Sequence, residues 1–291
     1  MTALPKAPLY ARPDDLTEAL RLLSGGEATI VAGATDLMVQ MQAGKKPLAG
    51  TLLDIGAIDE IRGVEKTAEG IVIGATTSMT DILEDRMLGD VVPALVSAAD
   101  QFASDQIRNA ATIGGNIVNA SPAGDTLVPL LVYRAEVTLA RLKGDDIIYR
   151  TLPLGEFLQG PGTTAIARGE LLTHIRLPLP PVGLGGRFYK FGTRPALDIA
   201  TVSIGLGGRL EEGCFTDIRI AFGAVGPKPF RATATEAALS GRPADGATIE
   251  AAVAIARGEI HPIDDVRASA WYRAEMITNM LKRMLLDVAQ G

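Results

Sequence analysis

Two stretches of small and polar residues are the part of this sequence best suited to binding a large anionic ligand. They read VAGATDL over residues 31–37 and TIGGNIVNASPAGD over residues 112–125. Glycine lets a backbone turn so that successive N–H groups point at one anion, and small neighbours let a bulky ligand approach that backbone. The side chains that can add donors to phosphate oxygens are Thr35, Thr112, Asn116 and Ser121. Together the two stretches suit a ligand that contains a pyrophosphate.

The alternative is that both stretches are only tight turns. The usual dinucleotide fingerprint is absent, because the glycine-rich run GLGGRL at 205–210 lacks the spacing G-x-G-x-x-G. A Walker loop is absent as well, since no glycine is followed by Lys-Ser or Lys-Thr. A bound dinucleotide therefore requires a fold other than the doubly wound sheet.

The segments that must position these stretches alternate between helical and extended patterns. Helical apolar spacing predicts helices at 13–24, 79–88, 91–103, 233–239, 248–257 and 268–288. A further helix is predicted from the end of the first stretch, residues 31–37, to about residue 42. Alternating or β-branched runs predict strands at 29–32, 51–58, 70–77, 136–142, 170–180, 198–210 and 216–226, and a strand leading to a short helix at 147–158. Residues 127–135 fit a helix or a strand. Both glycine-containing stretches are predicted to be loops.

Composition and charge narrow the class of protein. The 291 residues carry 28 basic and 34 acidic side chains, a net charge of −6, with no aromatic-interleaved basic patch for nucleic acid. The single cysteine, Cys214, can supply neither a disulfide nor a four-cysteine iron–sulfur site, so any such cluster would belong to another chain. The N-terminus lacks an apolar signal region and no run is long enough to span a bilayer, so we expect a cytoplasmic protein without a membrane span.

Three segments together carry a resemblance to a known family. They read AGATDLMVQM at 32–41, QIRNAATIGGNIVNASPAGD at 106–125 and RASAWYR at 267–273. In this combination and order they closely resemble the FAD-binding medium subunit of the molybdenum hydroxylases, the family of xanthine dehydrogenase and aerobic carbon monoxide dehydrogenase. The phrases GPG at 160–162 and RPALDIAT at 194–201 are most similar to the bacterial xanthine dehydrogenase branch. The first motif departs from the family at Ala34, where a second glycine is usual.

The resemblance covers essentially the whole chain and implies its architecture. The implied fold class is α+β, with a PCMH-type FAD-binding domain over 1–177 made of two α/β subdomains, about 1–58 and 59–177. A C-terminal domain of antiparallel sheet plus helices follows over 178–291. The proline- and glycine-rich run PLPPVGLGG at 178–186 independently predicts a boundary near 178.

The resemblance also implies which residues bind FAD. The implied cofactor-binding residues are Ile30, Val31, Ala32, Gly33, Ala34, Thr35, Asp36, Leu37, Phe102, Thr112, Ile113, Gly114, Gly115, Asn116, Ser121, Asp125, Leu172 and Lys190. The residues from Ile30 to Leu37 are expected around the pyrophosphate and ribityl chain, and those from Thr112 to Asn116 around the flavin half.

Several of these residues also have ordinary structural interpretations. Asp125 is implied to bind the ribose and adenine end, or it caps the helix that starts near Thr126. Phe102 and Leu172 are implied to flank the adenine, or they belong to the core. Lys190 is implied to contact a cofactor carbonyl or phosphate, or it is an exposed lysine.

Arg108 and the histidines complete the candidates. Arg108 orients the second stretch through backbone carbonyls, or it is an ordinary surface residue. His174 and His261 have no partners at metal-ligand spacing, so structural roles are expected and no metal site is predicted. Since neither His174 nor Cys214 lies in a glycine-containing stretch, the FAD is expected to be noncovalent.

By resemblance, this chain is an electron-transfer subunit without a catalytic residue of its own. A large partner chain would carry the molybdenum cofactor and hydroxylate the substrate, and a small partner chain with [2Fe–2S] clusters would pass electrons to FAD, which reduces NAD⁺ or another acceptor. A dimer of heterotrimers is implied. Two alternatives remain: a self-contained flavin oxidoreductase of the same wider fold, and a scaffold that binds partners but no cofactor.

Overall fold

The computed structural model describes residues 9–45, 48, 50–194 and 197–290. Pro195 and Ala196 of the RPALDIAT motif lie outside the described residues, as do residues 1–8, where a signal region would begin.

A small parallel sheet opens the chain and carries the first glycine-containing stretch. Its elements are β1 (Tyr10–Ala11), α1 (Leu16–Gly25), β2 (Ala28–Val31), α2 (Leu37–Gln42) and β3 (Thr51–Asp54). β3 lies in the middle and pairs in parallel with β1 and β2. The helix predicted at 13–24 is confirmed: Asp15 accepts from the Glu18 amide at 2.8 Å as its N-cap, and Leu16, Ala19, Leu20 and Leu23 are buried.

The middle of the chain forms a five-stranded antiparallel sheet covered by short helices. Its elements are a 3₁₀ turn (Asp59–Ile61), β4 (Val64–Lys66), β5 (Gly70–Gly74), α3 (Met79–Glu84), α4 (Arg86–Val91), α5 (Pro93–Asp100), α6 (Asp105–Ala110), α7 (Ile113–Asn119), α8 (Leu127–Val132), β6 (Glu136–Lys143), β7 (Asp146–Pro153), α9 (Leu154–Phe157), β8 (Leu158–Gly160), β9 (Thr163–Thr164) and β10 (Leu171–Pro178). The strand order is β4-β5-β10-β6-β7, and β8 pairs with β9 separately. The central strand β10 therefore lies between elements far apart in the sequence.

Two local predictions in this region were wrong or unresolved. The single helix predicted at 79–88 is two helices, because Asp85 is extended and accepts from the Leu88 amide at 2.9 Å, capping α4. Residues 127–135, which fitted a helix or a strand, form α8, and every residue of α8 is buried. An apolar run of this kind has no polar face, so its periodicity could not distinguish the two structures.

The C-terminal part is a four-stranded antiparallel sheet packed against three helices. Its elements are β11 (Arg187–Phe191), β12 (Val202–Glu211), β13 (Cys214–Gly223), β14 (Phe230–Arg231), α10 (Thr233–Leu239), α11 (Gly246–Glu259) and α12 (Ala270–Ala289). The strands follow the order β11-β12-β13-β14. Apolar residues of β12 and β13, such as Ile204 and Phe222, share one buried cluster with Ile249 and Leu281 of the helices. The predicted antiparallel sheet with helices is confirmed.

The parallel sheet does not have a core entirely of its own. Its buried cluster, which contains Leu20 and Leu53, also includes Ala140 and Leu171 from the five-stranded sheet. This shared packing fixes the first glycine-containing stretch relative to the rest of the fold. In the described part of the chain, no helix is long and apolar enough to cross a membrane.

Candidate functional site

The first glycine-containing stretch lies between β2 and α2, at the carboxyl end of a parallel strand. Within the described ranges, the backbone amides of residues 33–37 donate to no protein acceptor. Ala34 has a φ of 55°, which places it in the left-handed region that favours glycine. A run of unbonded amides around a left-handed residue is an anion-binding geometry.

The second stretch is not the loop that the sequence predicted. Thr112 is the N-cap of α7, and its hydroxyl accepts from the Gly115 amide at 3.1 Å. The neighbouring amides are also bonded within the protein: Ile113 to Thr77 O at 3.0 Å, Gly114 to Ala75 O at 2.9 Å, and Asn116 to Thr112 O at 3.0 Å. The amides of residues 113–116 are therefore not donors to an anion, and this stretch must act mainly through side chains.

Two of the glycines serve contacts within the protein. A Cβ at Gly33 would overlap the carbonyl oxygen of Ala110, and a Cβ at Gly114 would lie 2.6 Å from that of Ala75. At these two positions the absence of a side chain allows two backbone segments to pack closely together. The interpretation that small residues here leave space for a ligand was therefore wrong at Gly33 and Gly114.

A cleft lies between the first stretch and α7. A second cavity adjoins it and continues toward the turn before α8. The residues that line both are Thr35, Asp36, Phe102, Asn116 and Asn119. The two cavities thus form one elongated site.

Most of the predicted cofactor-binding residues line this site. The first cavity is lined by Ile30, Val31, Ala32, Gly33, Ala34, Thr35, Asp36, Leu37, Phe102, Thr112, Gly114, Gly115, Asn116 and Leu172. Ser121 and Asp125 line the second cavity, and Lys190 lines a groove next to it. Ile113 is the exception, because its side chain is fully buried in the core beneath α7.

The side chain of Asn116 has one half free for a ligand. Its Oδ1 accepts from the hydroxyl of Thr126 at 2.7 Å. Its Nδ2 has no hydrogen-bond partner among the described residues and, because Asn116 lines both cavities, is a donor available to a ligand. Ser121, by contrast, accepts from the Ala123 amide at 3.2 Å and stabilises the turn before α8.

The two ends of the site differ in chemistry. The first cavity has an apolar part to its wall, formed by Ile30, Ile55, Ile166, Leu171 and Leu172. Asp125 belongs to the second cavity and Leu172 to the first. These two residues, which the resemblance implied at the same adenine end, thus line adjoining cavities and not the same one.

A buried ion pair lies at the polar end. Lys190, on β11, donates to Asp125 Oδ2 at 2.8 Å and to the carbonyl oxygen of Gln101 at 2.9 Å. Burial raises the pKa of Asp125 to about 6, although the charge of Lys190 acts in the opposite direction. Asp125 Oδ1 is buried and has no partner in the described part of the chain. An unpaired carboxylate oxygen at a cavity wall calls for a donor from a ligand.

The structure excludes the ordinary structural roles considered for Asp125 and Lys190, a helix cap and an exposed lysine. The N-cap of α8 is Thr126, so Asp125 is not the residue that caps it. Lys190 is not an exposed lysine either, since its side chain is only 7% accessible.

Arg108 organises the turn that carries Phe102. Its guanidinium donates to the carbonyl oxygens of Asp100, Phe102 and Ala103 at 3.1, 3.0 and 3.4 Å. The prediction that Arg108 contacts backbone carbonyls was therefore right, but the carbonyls belong to this turn and not to the second stretch. The arginine positions Phe102 where the two cavities meet.

Sequence reasoning missed several residues of the site. Gln40, Ile55, Ala75, Val118, Asn119, Ile166 and Leu171 also line the first cavity. Gln40 could have been found, because it follows Asp36 by four residues and so lies on the same face of α2. Ile166 and Leu171 carried no signal of their own, since they reach the site only through the fold.

The residues considered for covalent attachment lie elsewhere. His174 Nε2 lies 3.1 Å from the carbonyl oxygen of Glu60, and burial lowers its pKa. Cys214 begins β13 in the C-terminal sheet. Neither residue lines the two cavities. Among the described residues, no group of three or more His, Cys, Asp or Glu side chains could hold a metal ion.

Comparison with known proteins covers nearly all of the chain. Residues 5–180 match the FAD binding domain in molybdopterin dehydrogenase, and residues 187–288 match the CO dehydrogenase flavoprotein C-terminal domain. The xanthine dehydrogenase FAD-binding subunit of Escherichia coli O157:H7 is 32% identical, over 96% of this chain and 94% of that protein. This chain belongs to the family of FAD-binding subunits of the molybdenum hydroxylases.

Other relatives of this FAD-binding subunit carry the names of different dehydrogenases. The glyceraldehyde dehydrogenase medium chain of Sulfolobus acidocaldarius is 32% identical, over 96% of this chain and 98% of that one. The structure of carbon monoxide dehydrogenase from Hydrogenophaga pseudoflava, in a form that lacks the Mo-pyranopterin moiety, superposes with a TM-score of 0.91 at 31% identity, covering 99% of this chain and 98% of that chain.

The site of this FAD-binding subunit fits FAD on structural grounds. The unbonded amides of 33–37 suit a pyrophosphate, and the buried Asp125 Oδ1 lacks the donor that a flavin or its sugar would provide. The apolar wall around Leu172 suits one face of an aromatic ring.

Proposed function

We propose that this chain is the electron-transfer subunit of a multi-subunit molybdenum hydroxylase. In this proposal, electrons from the [2Fe–2S] clusters of a small partner chain reach NAD⁺ or another acceptor by way of FAD on this chain. A large partner chain with the molybdenum cofactor hydroxylates the substrate, and the complex is a dimer of heterotrimers. The observation that carries the proposal is the match over 96% of the chain to a xanthine dehydrogenase FAD-binding subunit.

The work of the protein is then to bind and orient the cofactor. Bound FAD supplies the redox chemistry. We assign the pyrophosphate to the amides of 33–37 and to the Asn116 side chain, because these are the donors left unbonded around the cleft. Three acids line the two cavities, and each has a partner in the described chain: Asp36 accepts from Gln40, Asp125 from Lys190 and Asp198 from Thr193. These partners agree with a binding role and no proton transfer.

We assign the isoalloxazine to the end of the site that contains Asp125 and Lys190. The pyrimidine edge of the isoalloxazine has an N–H between two carbonyls, which matches a carboxylate acceptor beside an ammonium donor. Adenine also offers a donor beside an acceptor, so hydrogen bonding alone does not separate the two ends. Access favours the end with Asp125 and Lys190, because it adjoins a groove whose lining includes Gln101, Arg108 and Arg194, where an acceptor can approach. The adenine then lies against Leu171 and Leu172.

Purification of the native complex through a tag on this chain tests the proposal. We expect two partner chains, one of which brings iron and the other molybdenum, and a tightly but noncovalently held FAD that is released on unfolding. Added NADH under anaerobic conditions should bleach the flavin if NAD⁺ is the acceptor. A chain that purifies alone, takes up no added FAD, or oxidises a substrate without partners would contradict the proposal.

A further inference from the structure

We propose that Gln40 is a positioning residue for FAD and that its side-chain amide sets how long the cofactor stays bound. The inference rests on the proposed function in one respect, namely that the cleft between the first stretch and α7 holds FAD. Gln40 itself need not touch the cofactor.

One amide group joins the two walls of the cleft. Gln40, on α2, donates through Nε2 to the carboxylate of Asp36 and to Asn119 Oδ1, the latter at 3.1 Å. Gln40 and Asn119 are 79 residues apart in the sequence, and all three side chains line the cleft. The bond therefore links the helix after the first stretch to the end of α7.

The helix that carries Gln40 has little else to hold it. α2 contains no buried residue, and Met38 and Val39 are 49% and 60% exposed. Ala34, just before it, is in the left-handed conformation, which is unfavourable for a residue with a Cβ. Because α2 gains little from burial, a single hydrogen bond to α7 contributes a large share of its local stability.

The bond also fixes one end of the anion-binding amides. Gly33 anchors the other end through its close approach to Ala110. The amides of 33–37 lie between these two anchors, so loss of the Gln40 bond frees one side of the run. Preorganised donors bind an anion better than mobile ones, since the cost of ordering them is already met on folding.

The amide of Gln40 also holds a negative charge in place beside the anion-binding amides. Asp36 lines both cavities and would repel a pyrophosphate held by the neighbouring amides. The amide of Gln40 donates to that carboxylate and holds it in one position. Removal of the Gln40 amide therefore loosens α2 and leaves the Asp36 carboxylate without its donor, next to the pyrophosphate.

The test compares FAD release from the FAD-loaded full chain and two variants. Gln40→Ala should release FAD about fivefold faster than the wild type, as expected for the loss of one hydrogen bond. Gln42→Ala is the matched control, because Gln42 lies on the same helix, is exposed, and makes no side-chain hydrogen bond within the described residues. Release is followed by the rise in flavin fluorescence after dilution.

A double-mutant cycle distinguishes this role from a general loss of structure. Asn119→Ala should accelerate release less than Gln40→Ala, because it leaves the bond from Gln40 to Asp36 in place. The double variant should release FAD no faster than Gln40→Ala, because that substitution already removes the bond to Asn119. The melting temperature of the cofactor-free chain should stay unchanged in both single variants, since neither Gln40 nor Asn119 is a buried residue. Release from Gln40→Ala at the rate of Gln42→Ala, or additive effects in the double variant, would overturn the inference alone. A wild-type chain that takes up no FAD would overturn the proposed function, and this inference with it.

Discussion

Lys190 and Asp125 are separated by 65 residues, yet the ammonium of one lies 2.8 Å from the carboxylate of the other in a buried contact. The lysine comes from a strand of the C-terminal sheet and the aspartate from the turn before α8. The polar end of the proposed FAD site is therefore built from both halves of the chain, and its charge balance depends on their packing.

Asp125→Asn should weaken FAD binding about tenfold, because a charged hydrogen-bond acceptor is lost. If Asp125 faces the isoalloxazine, the affinity for ADP, which lacks that ring, should stay the same. Titration calorimetry with both ligands measures the difference. Asp100→Asn is the control, since Asp100 is exposed. An equal loss of ADP affinity would place Asp125 at the adenine end, as the family resemblance implied.

The stability of the cofactor-free chain should depend on pH through Asp125. Its folded-state pKa of about 6 lies above that of an unfolded aspartate, so the folded chain binds the proton more tightly. Protonation of Asp125 therefore stabilises the folded chain fully below pH 4, and this stabilisation is lost as the pH rises through 6. The free energy of unfolding of the wild type relative to Asp125→Asn should thus fall by on the order of 2 kcal/mol between pH 4 and pH 7. Urea unfolding measures it, and a pH-independent difference would contradict the assignment.

Ala34→Gly should stabilise the cofactor-free chain by about 1 kcal/mol, because φ is 55° at this position and glycine adopts it without strain. The gain is reduced by the greater freedom of glycine in the unfolded chain. Ala32→Gly provides the control: Ala32 has no positive φ, so this change should destabilise. Denaturant unfolding reports both. Destabilisation by Ala34→Gly would mean that the alanine methyl group contributes packing not accounted for.

Gly33→Ala should abolish FAD binding, since the added methyl group would overlap the carbonyl oxygen of Ala110 and displace the anion-binding stretch. Gly25→Ala is the matched control, because nothing lies within 4 Å of a Cβ there. Flavin absorbance of the purified variants gives the occupancy. Full occupancy in Gly33→Ala would show that this contact is not needed to form the site.

Local elements were predictable where apolar spacing and caps agreed. The helix α1 followed from Leu16, Leu20 and Leu23 at helical intervals behind Asp15. The second glycine-containing stretch was not predictable, because Gly114-Gly115 reads as a loop in sequence but begins a helix in the fold. Only the three-dimensional structure shows that Gly114 is needed against Ala75.

The composition of the site could be predicted more fully than its arrangement. The motif residues around Gly33 and Asn116 did lie together, as the resemblance implied. The different roles of the two stretches could not be predicted, since they depend on which backbone amides already donate hydrogen bonds within the protein. The same holds for Gln40 and Asn119, whose contact requires two subdomains to pack.

The backbone contacts at Gly33 and Gly114 bear on the order of assembly in the cell. Because both walls of the cleft are fastened by the protein's own carbonyl groups, the chain does not need flavin to bring them together. We therefore expect a newly made chain to fold first and to acquire the flavin afterwards. Flavin supply would then limit how much of the enzyme is active, without limiting how much of the chain survives proteolysis.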